Sequence, residues 1–598
     1  MGKRSVAGIA GIVVVALVIG IGWAWRWYDA HLAIKVPSYP KPASTAWLAQ
    51  NWEPGPRTWY HHADQGTLTF GMPLEWFEAL NQPALFAAGR LSDPAYLDGF
   101  GFIPDADQPD PAKLPVGFAH GGDATLGDGS AWRNPQTGQA YTSVGLTCAA
   151  CHTGRLTYQG RELLIDGGPA LTNLVVFRQA VGEAVLFTRK LPWRFEAFQA
   201  RVLGDHATPV AKAALKAQLD AFLADGQHEL DLVNANAPKN VAEGFGRLDA
   251  LNRIGNQVFS KDMGAPANYA PISAPVHFPR IWQASWFTWV QYNGSIAQPM
   301  VRNAGEALGV AARFTASGPN IYSSSVNVRV IDELEQQLAG QQPTATTGFT
   351  GLRPPRWKDT PLPPIDTDLA RRGATLYAQH CQECHLAPTS TPAFWADKRW
   401  KAPNAAGQRY LDLEQVPLEH IGTDSAEAAG MQARTVQIPA ALGIKETGFG
   451  PALGDLVEKT VTRWYDTQKP STPQLDRDRM NGFRTNGIRA VLAYKVRPLD
   501  GVWATPPYLH NGSVPTVYDL LSPWGERQKT FTVGGREYDP VHLGYRTDPI
   551  KNGFLFDTSL PGNSNRGHEF SNTPGPGVIG PELPPADRLA LIEYLKTQ

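Results

Sequence analysis

The 598-residue chain has four cysteines, and all four lie in two copies of one motif: Cys148-Ala-Ala-Cys151-His152 and Cys381-Gln-Glu-Cys384-His385. Cysteines at this spacing can form two thioether bonds to the vinyl-derived carbons of a haem, and the adjacent imidazole then binds the iron axially. A zinc half-site or a redox dithiol also uses Cys-x-x-Cys. A four-thiolate zinc site, however, would need both pairs brought together from distant parts of the chain. Two copies, each followed by His, favour two covalently bound haem c groups held by Cys148, Cys151, Cys381 and Cys384, with His152 and His385 as iron ligands. No cysteine remains for a disulfide or a catalytic thiol.

The opposite face of each iron decides what such a centre does. A second strong ligand makes an electron-transfer haem, and an open position allows chemistry. For the second motif, the loop ahead of the last predicted helix is Gly562-Asn-Ser-Asn-Arg-Gly-His568-Glu-Phe, with no Met from 481 to 598. That loop is where class I cytochromes c, which the chain resembles, take their distal ligand, so the resemblance implies His568 as the third iron-binding His, with His510 as the alternative and Met431 and Met480 as core residues. For the first motif, candidate distal residues come from Trp59-Tyr-His61-His62-Ala-Asp-Gln65 and from the aromatic run Trp282–Tyr292 with Arg302 and Glu306. Glu306, Arg302 and Trp289 are the candidate catalytic residues. A carboxyl beside the iron could move a proton, and an aromatic-lined pocket with few polar groups suits a small ligand. Arg302 and Glu306, four residues apart, could equally form a helical ion pair. His120 and His277 read as structural.

Elements must hold these groups in place. Asp366-Thr367-Asp368 supplies N-caps for a helix leading into Cys381, and Pro584-Pro585-Ala586-Asp587 opens a terminal helix. Gly373 would let the two approach closely. Further helices are expected near Leu171–Arg189 and over Val210–Ala224. Gln341–Asp368 holds six prolines and reads as a linker. The expected organisation is an anchor over residues 1–35, a first haem domain over 45–340, a linker over 341–365 and a second haem domain over 366–598. Val6–Trp25 is uncharged and about 30 Å long as a helix, with Lys3 and Arg4 before it. Gly22-Trp23-Ala24 has the form of a cleavage site, but the apolar run exceeds a usual signal sequence. The expected location is a single-pass bacterial inner membrane protein with its haem domains in the periplasm, or a periplasmic protein if the segment is cleaved. A net charge of −1 gives no basic surplus for nucleic acid, and 18% charged with 42% hydrophobic residues is a globular composition.

The helix ending Gly373-Ala-Thr-Leu-Tyr377, paired with the terminal Leu591-Ile-Glu-Tyr-Leu-Lys596, resembles the class I cytochrome c fold. Gly501-Val-Trp-Ala-Thr-Pro-Pro-Tyr-Leu-His510-Asn-Gly-Ser resembles a segment of the bacterial dihaem cytochrome c peroxidases. Trp59-Tyr-His-His, Val144-Gly-Leu-Thr-Cys148, Ile165-Asp-Gly-Gly-Pro-Ala, Trp289-Val-Gln-Tyr-Asn-Gly-Ser and the Arg-Gly-His568 loop are similar to the rubber-oxygenase-like branch of that superfamily. The fold class this implies is mainly α with extensive irregular loops: two cytochrome c-like haem domains behind an N-terminal transmembrane anchor. The resemblance implies an oxidoreductase with peroxide or dioxygen chemistry at the N-terminal haem and electron relay through the C-terminal one. The expected partners are a periplasmic or membrane electron donor or acceptor, a small oxidant, and the membrane through the N-terminal helix. A non-catalytic, membrane-anchored electron-transfer cytochrome is the alternative. The chain lacks a Met shortly after His510, where the peroxidases carry a ligand, and nothing in it points to polyisoprene.

Overall fold

The structure, a computed structural model, describes residues 33–105, 108–126 and 130–598. Its helices begin where short polar side chains can accept free backbone N–H groups. Asn173, Thr208, Asn327 and Asp366 each accept such a bond, opening the helices Leu174–Lys190, Pro209–Ala235, Val328–Ala339 and Thr367–His380. Proline stands first in Pro192–Leu203, Pro299–Gly309 and Pro585–Leu595, where its missing N–H costs nothing. The helix expected over Val210–Ala224 runs on to Ala235. Its buried residues end at Leu219, and ion pairs from Asp225 to Lys261 and from Glu229 to Arg178 tether the extension.

The first motif sits between two small sheets. An antiparallel pair, Phe118–Asp123 with Thr142–Leu146, leads into it. A three-stranded sheet leaves it, with Arg161–Asp166 at the centre, parallel to Ser44–Trp47 and antiparallel to Thr153–Tyr158. The second motif follows directly on the helix Thr367–His380.

The buried cores cross between the two motif-bearing halves. Leu163 and Ile165 share one core with Trp357, Trp503 and Ile592. Met300 and Leu308 share another with Phe449 and Leu456, so the helix Pro299–Gly309 packs on the helix Phe449–Thr467. The proline-rich stretch between the halves buries Leu352, Trp357 and Leu362, and the Trp357 indole donates to the Pro363 carbonyl at 2.8 Å.

Thr367–His380 and Pro585–Leu595 cross at Gly373. A Cβ there would stand 2.0 Å from the Ala590 carbonyl oxygen, so only glycine permits this approach. Gly373→Ala is expected to destabilise the protein by about 1–3 kcal/mol through overpacking, measured as a lowered thermal midpoint. An unchanged midpoint would mean the two helices do not meet there.

Two expectations are corrected. The fold is not simply α: 14% of it is strand beside 38% helix, in two- and three-stranded sheets. The anchor and the single-pass inner-membrane location are not supported either. Among the described residues no helix is long and apolar enough to cross a membrane. Pro209–Ala235 has the length, but Lys212, Lys216, Asp220, Asp225, Glu229 and Asp231 make it far too polar. Val6–Trp25 lies outside the described residues.

Candidate functional site

Cys381 caps the end of its helix, and Gln382–His385 forms one further turn. The Nδ1 of His385 bonds the Arg497 carbonyl at 2.8 Å. A carbonyl can only accept, so Nδ1 carries the proton and Nε2 keeps its lone pair, the state a metal ligand requires. Across from it stands His568, with ring centres 6.2 Å apart. Two imidazoles on opposite sides of one metal, with bonds of roughly 2 Å, place their ring centres roughly 6 Å apart. Burial pushes His385 down to about 4 and His568 down to about 3, so both are neutral at pH 7. His568 Nδ1 is buried without a partner among the described residues.

The loop carrying His568 is held through its backbone. His568 has φ +47°, a strained conformation for a residue with a Cβ. Its N–H donates to the Ile421 carbonyl at 2.9 Å. The guanidinium of the buried Arg527 donates to the carbonyls of Asn565 (2.6 Å), Gly567 (2.9 Å) and His568 (3.0 Å). Gly567, at φ +78°, lies so close to Ile421 and Gly422 that a Cβ would meet their backbone at 2.4 Å. His510 is elsewhere: its ring stacks on Tyr494 at 4.0 Å. Met431 is buried and Met480 part-buried in the core that contains Phe449, and the Met431 sulfur accepts from Asn293.

At the first motif, Thr147 caps the turn Cys148–Ala150. His152 repeats the pattern of His385: its Nδ1 bonds the Pro279 carbonyl at 2.8 Å, and burial pushes it down to about 4. Tyr60 donates to the His152 carbonyl at 2.9 Å, and the Gln65 amide to Cys148 Sγ at 3.1 Å. His61 is engaged by Asp166 at 2.8 Å, and His62 by the Phe118 carbonyl and Asp105. This histidine stretch therefore braces the motif. His120 pairs with Asp110. His277 has a buried Nε2 without a partner, and its backbone lies two residues from Pro279.

Glu306 and Arg302 do not pair with each other. Arg302 is bound by Glu335 of the helix Val328–Ala339, and Glu306 Oε1 accepts from Gln291 at 3.0 Å. Burial raises the Glu306 pKa above the ordinary glutamate value, and its charge acts on both Cys148 and Cys151. Glu306 thus lies within electrostatic reach of the first motif. Trp289 instead lies under the guanidinium of Arg489, 3.6 Å from the ring centre, and against Gly487.

Three cations absent from the sequence-based expectations lie between the motifs. Burial pushes Lys495 and Arg497 well down and Arg280 down to about 10. The carboxylate acting on them is Asp500, through Arg280. Buried cations with so little opposing charge call for an anion, and the two propionates of a haem are anions of that kind. The available signal was Lys495 and Arg497 at i and i+2, sharing one face of an extended segment ahead of Gly501. Arg527 had no such signal.

The donor set fits haem: each motif offers two thiols and an adjacent imidazole, as thioether attachment and iron ligation need. Among the described residues no group of three or more His, Cys, Asp or Glu could hold a metal ion.

Residues 493–532, which contain Lys495, Arg497, His510 and Arg527, match the family described as RoxA-like, cytochrome c-like. Over 570 residues, 94% of this chain and 95% of the relative, the sequence is 58% identical to the uncharacterized protein y4iJ of Sinorhizobium fredii (strain NBRC 101917 / NGR234). It is 28% identical to the uncharacterized protein y4iM of the same strain over 369 residues, 58% of this chain and 70% of that protein. The chain belongs to the family of y4iJ, and its residues 493–532 are similar to the RoxA-like, cytochrome c-like family.

Proposed function

We propose that the protein is a dihaem c-type oxidoreductase in which the centre at His152 handles a small oxidant, peroxide or dioxygen, and the centre at His385 relays electrons to it. The asymmetry of the two sites supports this reading. His385 faces a second imidazole, His568, at 6.2 Å. Beside the first motif the groups supplied are instead Glu306, Gln291, and Arg302 with its partner Glu335.

A haem held by Cys148, Cys151 and His152 would supply binding and reduction of a small oxidant. The chain's own residues do the rest. Glu306 is the group placed to carry a proton: burial raises its pKa and so favours the neutral acid, and Gln291 donates to its Oε1. Arg302 is fixed by Glu335 and Asn303, so it keeps its position while Glu306 titrates. His385 and His568, both neutral, would together hold a second haem iron from either side, an arrangement suited to electron transfer without substrate binding. Electrons come from an external one-electron donor.

The test is a haem count by pyridine haemochrome with EPR of the isolated protein. Two haems per chain are expected, one low-spin and one high-spin or exchangeable with cyanide. Two low-spin haems indifferent to cyanide, peroxide and dioxygen would sink the catalytic half of the reading and leave a pure electron-transfer cytochrome.

A further inference from the structure

The two histidines that follow the Cys-x-x-Cys pairs are tied to one another through the chain. Pro279 and Arg280 are consecutive, and Pro279 gives its carbonyl to His152 Nδ1 at 2.8 Å. Arg497 gives its own carbonyl to His385 Nδ1, also at 2.8 Å. The two segments then grip each other. The Arg497 guanidinium donates to the Arg280 carbonyl at 2.5 Å and to the Trp282 carbonyl at 3.1 Å. The Arg280 guanidinium donates back to the Pro498 carbonyl. The Trp282 indole adds a bond to the Asp500 carbonyl at 3.2 Å. The Ile281 N–H bonds the Gly167 carbonyl at 2.9 Å, and the Gly167 N–H bonds the His152 carbonyl at 2.8 Å, which pins the first segment to its own motif.

We propose that this reciprocal arginine clamp is the electronic bridge between the two centres, with Arg280 and Arg497 as positioning residues. From one imidazole to the other the route is His152, the Pro279–Arg280 peptide, Arg497 and His385, joined by three hydrogen bonds. Two features make it more than packing. Both ends terminate on the Nδ1–H of a proximal imidazole, the contact that sets ligand basicity and ring orientation. Both arginines spend their guanidinium groups on backbone carbonyls of the opposite segment, so neither segment can shift without moving the other histidine. One electron crossing from the His385 side to the His152 side oxidises one iron by one and reduces the other by one. No bond breaks and no proton crosses, because each Nδ1 keeps its hydrogen. The electron enters from the same external donor as above.

This inference rests on the reading of both motifs as haem sites, and the experiment separates the two. Arg497→Lys keeps the charge but cannot reach two carbonyls as a planar fork does, whereas Arg497→Gln loses both charge and fork. Each full-length variant is first assayed for haem content and EPR. One electron is then delivered by a photoexcited ruthenium complex, and its redistribution between the haems is followed optically. Both variants are expected to keep both haems, which the cysteines hold covalently whatever becomes of a propionate contact, to keep the His385 Nδ1 bond, which uses the backbone carbonyl of residue 497, and to redistribute the electron roughly tenfold more slowly. Unchanged rates in both overturn the bridge. Slowing in Arg497→Gln alone also overturns it, because charge rather than the clamp would then be responsible. One haem per chain in the unsubstituted protein would instead sink the two-haem reading itself. Should a variant lose haem, the unsubstituted protein still decides the matter. Stepwise reduction of one centre is expected to alter the EPR signal of the other, and strictly independent titrations overturn the bridge.

Discussion

His568→Ala is expected to convert one haem completely from low to high spin while leaving the other haem's spectrum unmoved. The expectation follows from how the loop is held. The contacts that fix it are backbone contacts: the His568 N–H to Ile421 and its carbonyl to Arg527. The imidazole Nδ1 makes no hydrogen bond among the described residues, so removing the ring deletes a ligand candidate without unfastening the loop. A haem held covalently by Cys381 and Cys384 would stay attached, which makes the expected change spectroscopic rather than a loss of cofactor. His510→Ala is the control. Its ring is engaged with Tyr494 and is not paired with His385, so the spin states should stay as they are. If His568→Ala leaves both haems low-spin and His510→Ala does not, the ligand assignment is reversed.

Glu306→Gln is expected to lower turnover with peroxide or dioxygen by roughly 10²- to 10⁴-fold, the usual contribution of a positioned general acid. The substitution is nearly isosteric. A glutamine carbonyl can still accept from Gln291, and the Arg302–Glu335 pair is untouched, so the local structure should persist. The pH dependence carries a sign. Burial raises the Glu306 pKa, so the carboxyl stays protonated to higher pH than an exposed glutamate. Turnover that needs this proton is full below the raised pKa and falls as pH rises through it. That falling limb should vanish in Glu306→Gln, while the EPR signals and the haem count stay constant. Unchanged turnover, or a limb that survives the substitution, would remove Glu306 from the chemistry.

The residues read most directly from sequence are those whose role is local. The haem reading of Cys148–His152 and Cys381–His385 rests on five consecutive residues each, because thioether spacing and the adjacent imidazole need no other part of the chain. Asp366 as an N-cap and Gly373 as a point of close approach are equally local: one follows from a single turn of helix, the other from the lack of a Cβ. The strand content was not legible, since the sheets are short and paired by the surrounding tertiary structure.

Tertiary structure decided the partnerships. Helical spacing offered Arg302 to Glu306, but Glu335 competes for the guanidinium, and that leaves Glu306 buried and able to hold a proton. Trp289 belongs to the same aromatic run but is turned toward Arg489. The groups that orient His152 and His385 are backbone carbonyls, which every residue possesses, so no residue type marks Pro279 or Arg497 for that task. The two motifs are near-identical as strings. What separates them is what the folded chain brings to each: a second imidazole at 6.2 Å for His385, and a buried carboxyl beside the cysteines that precede His152.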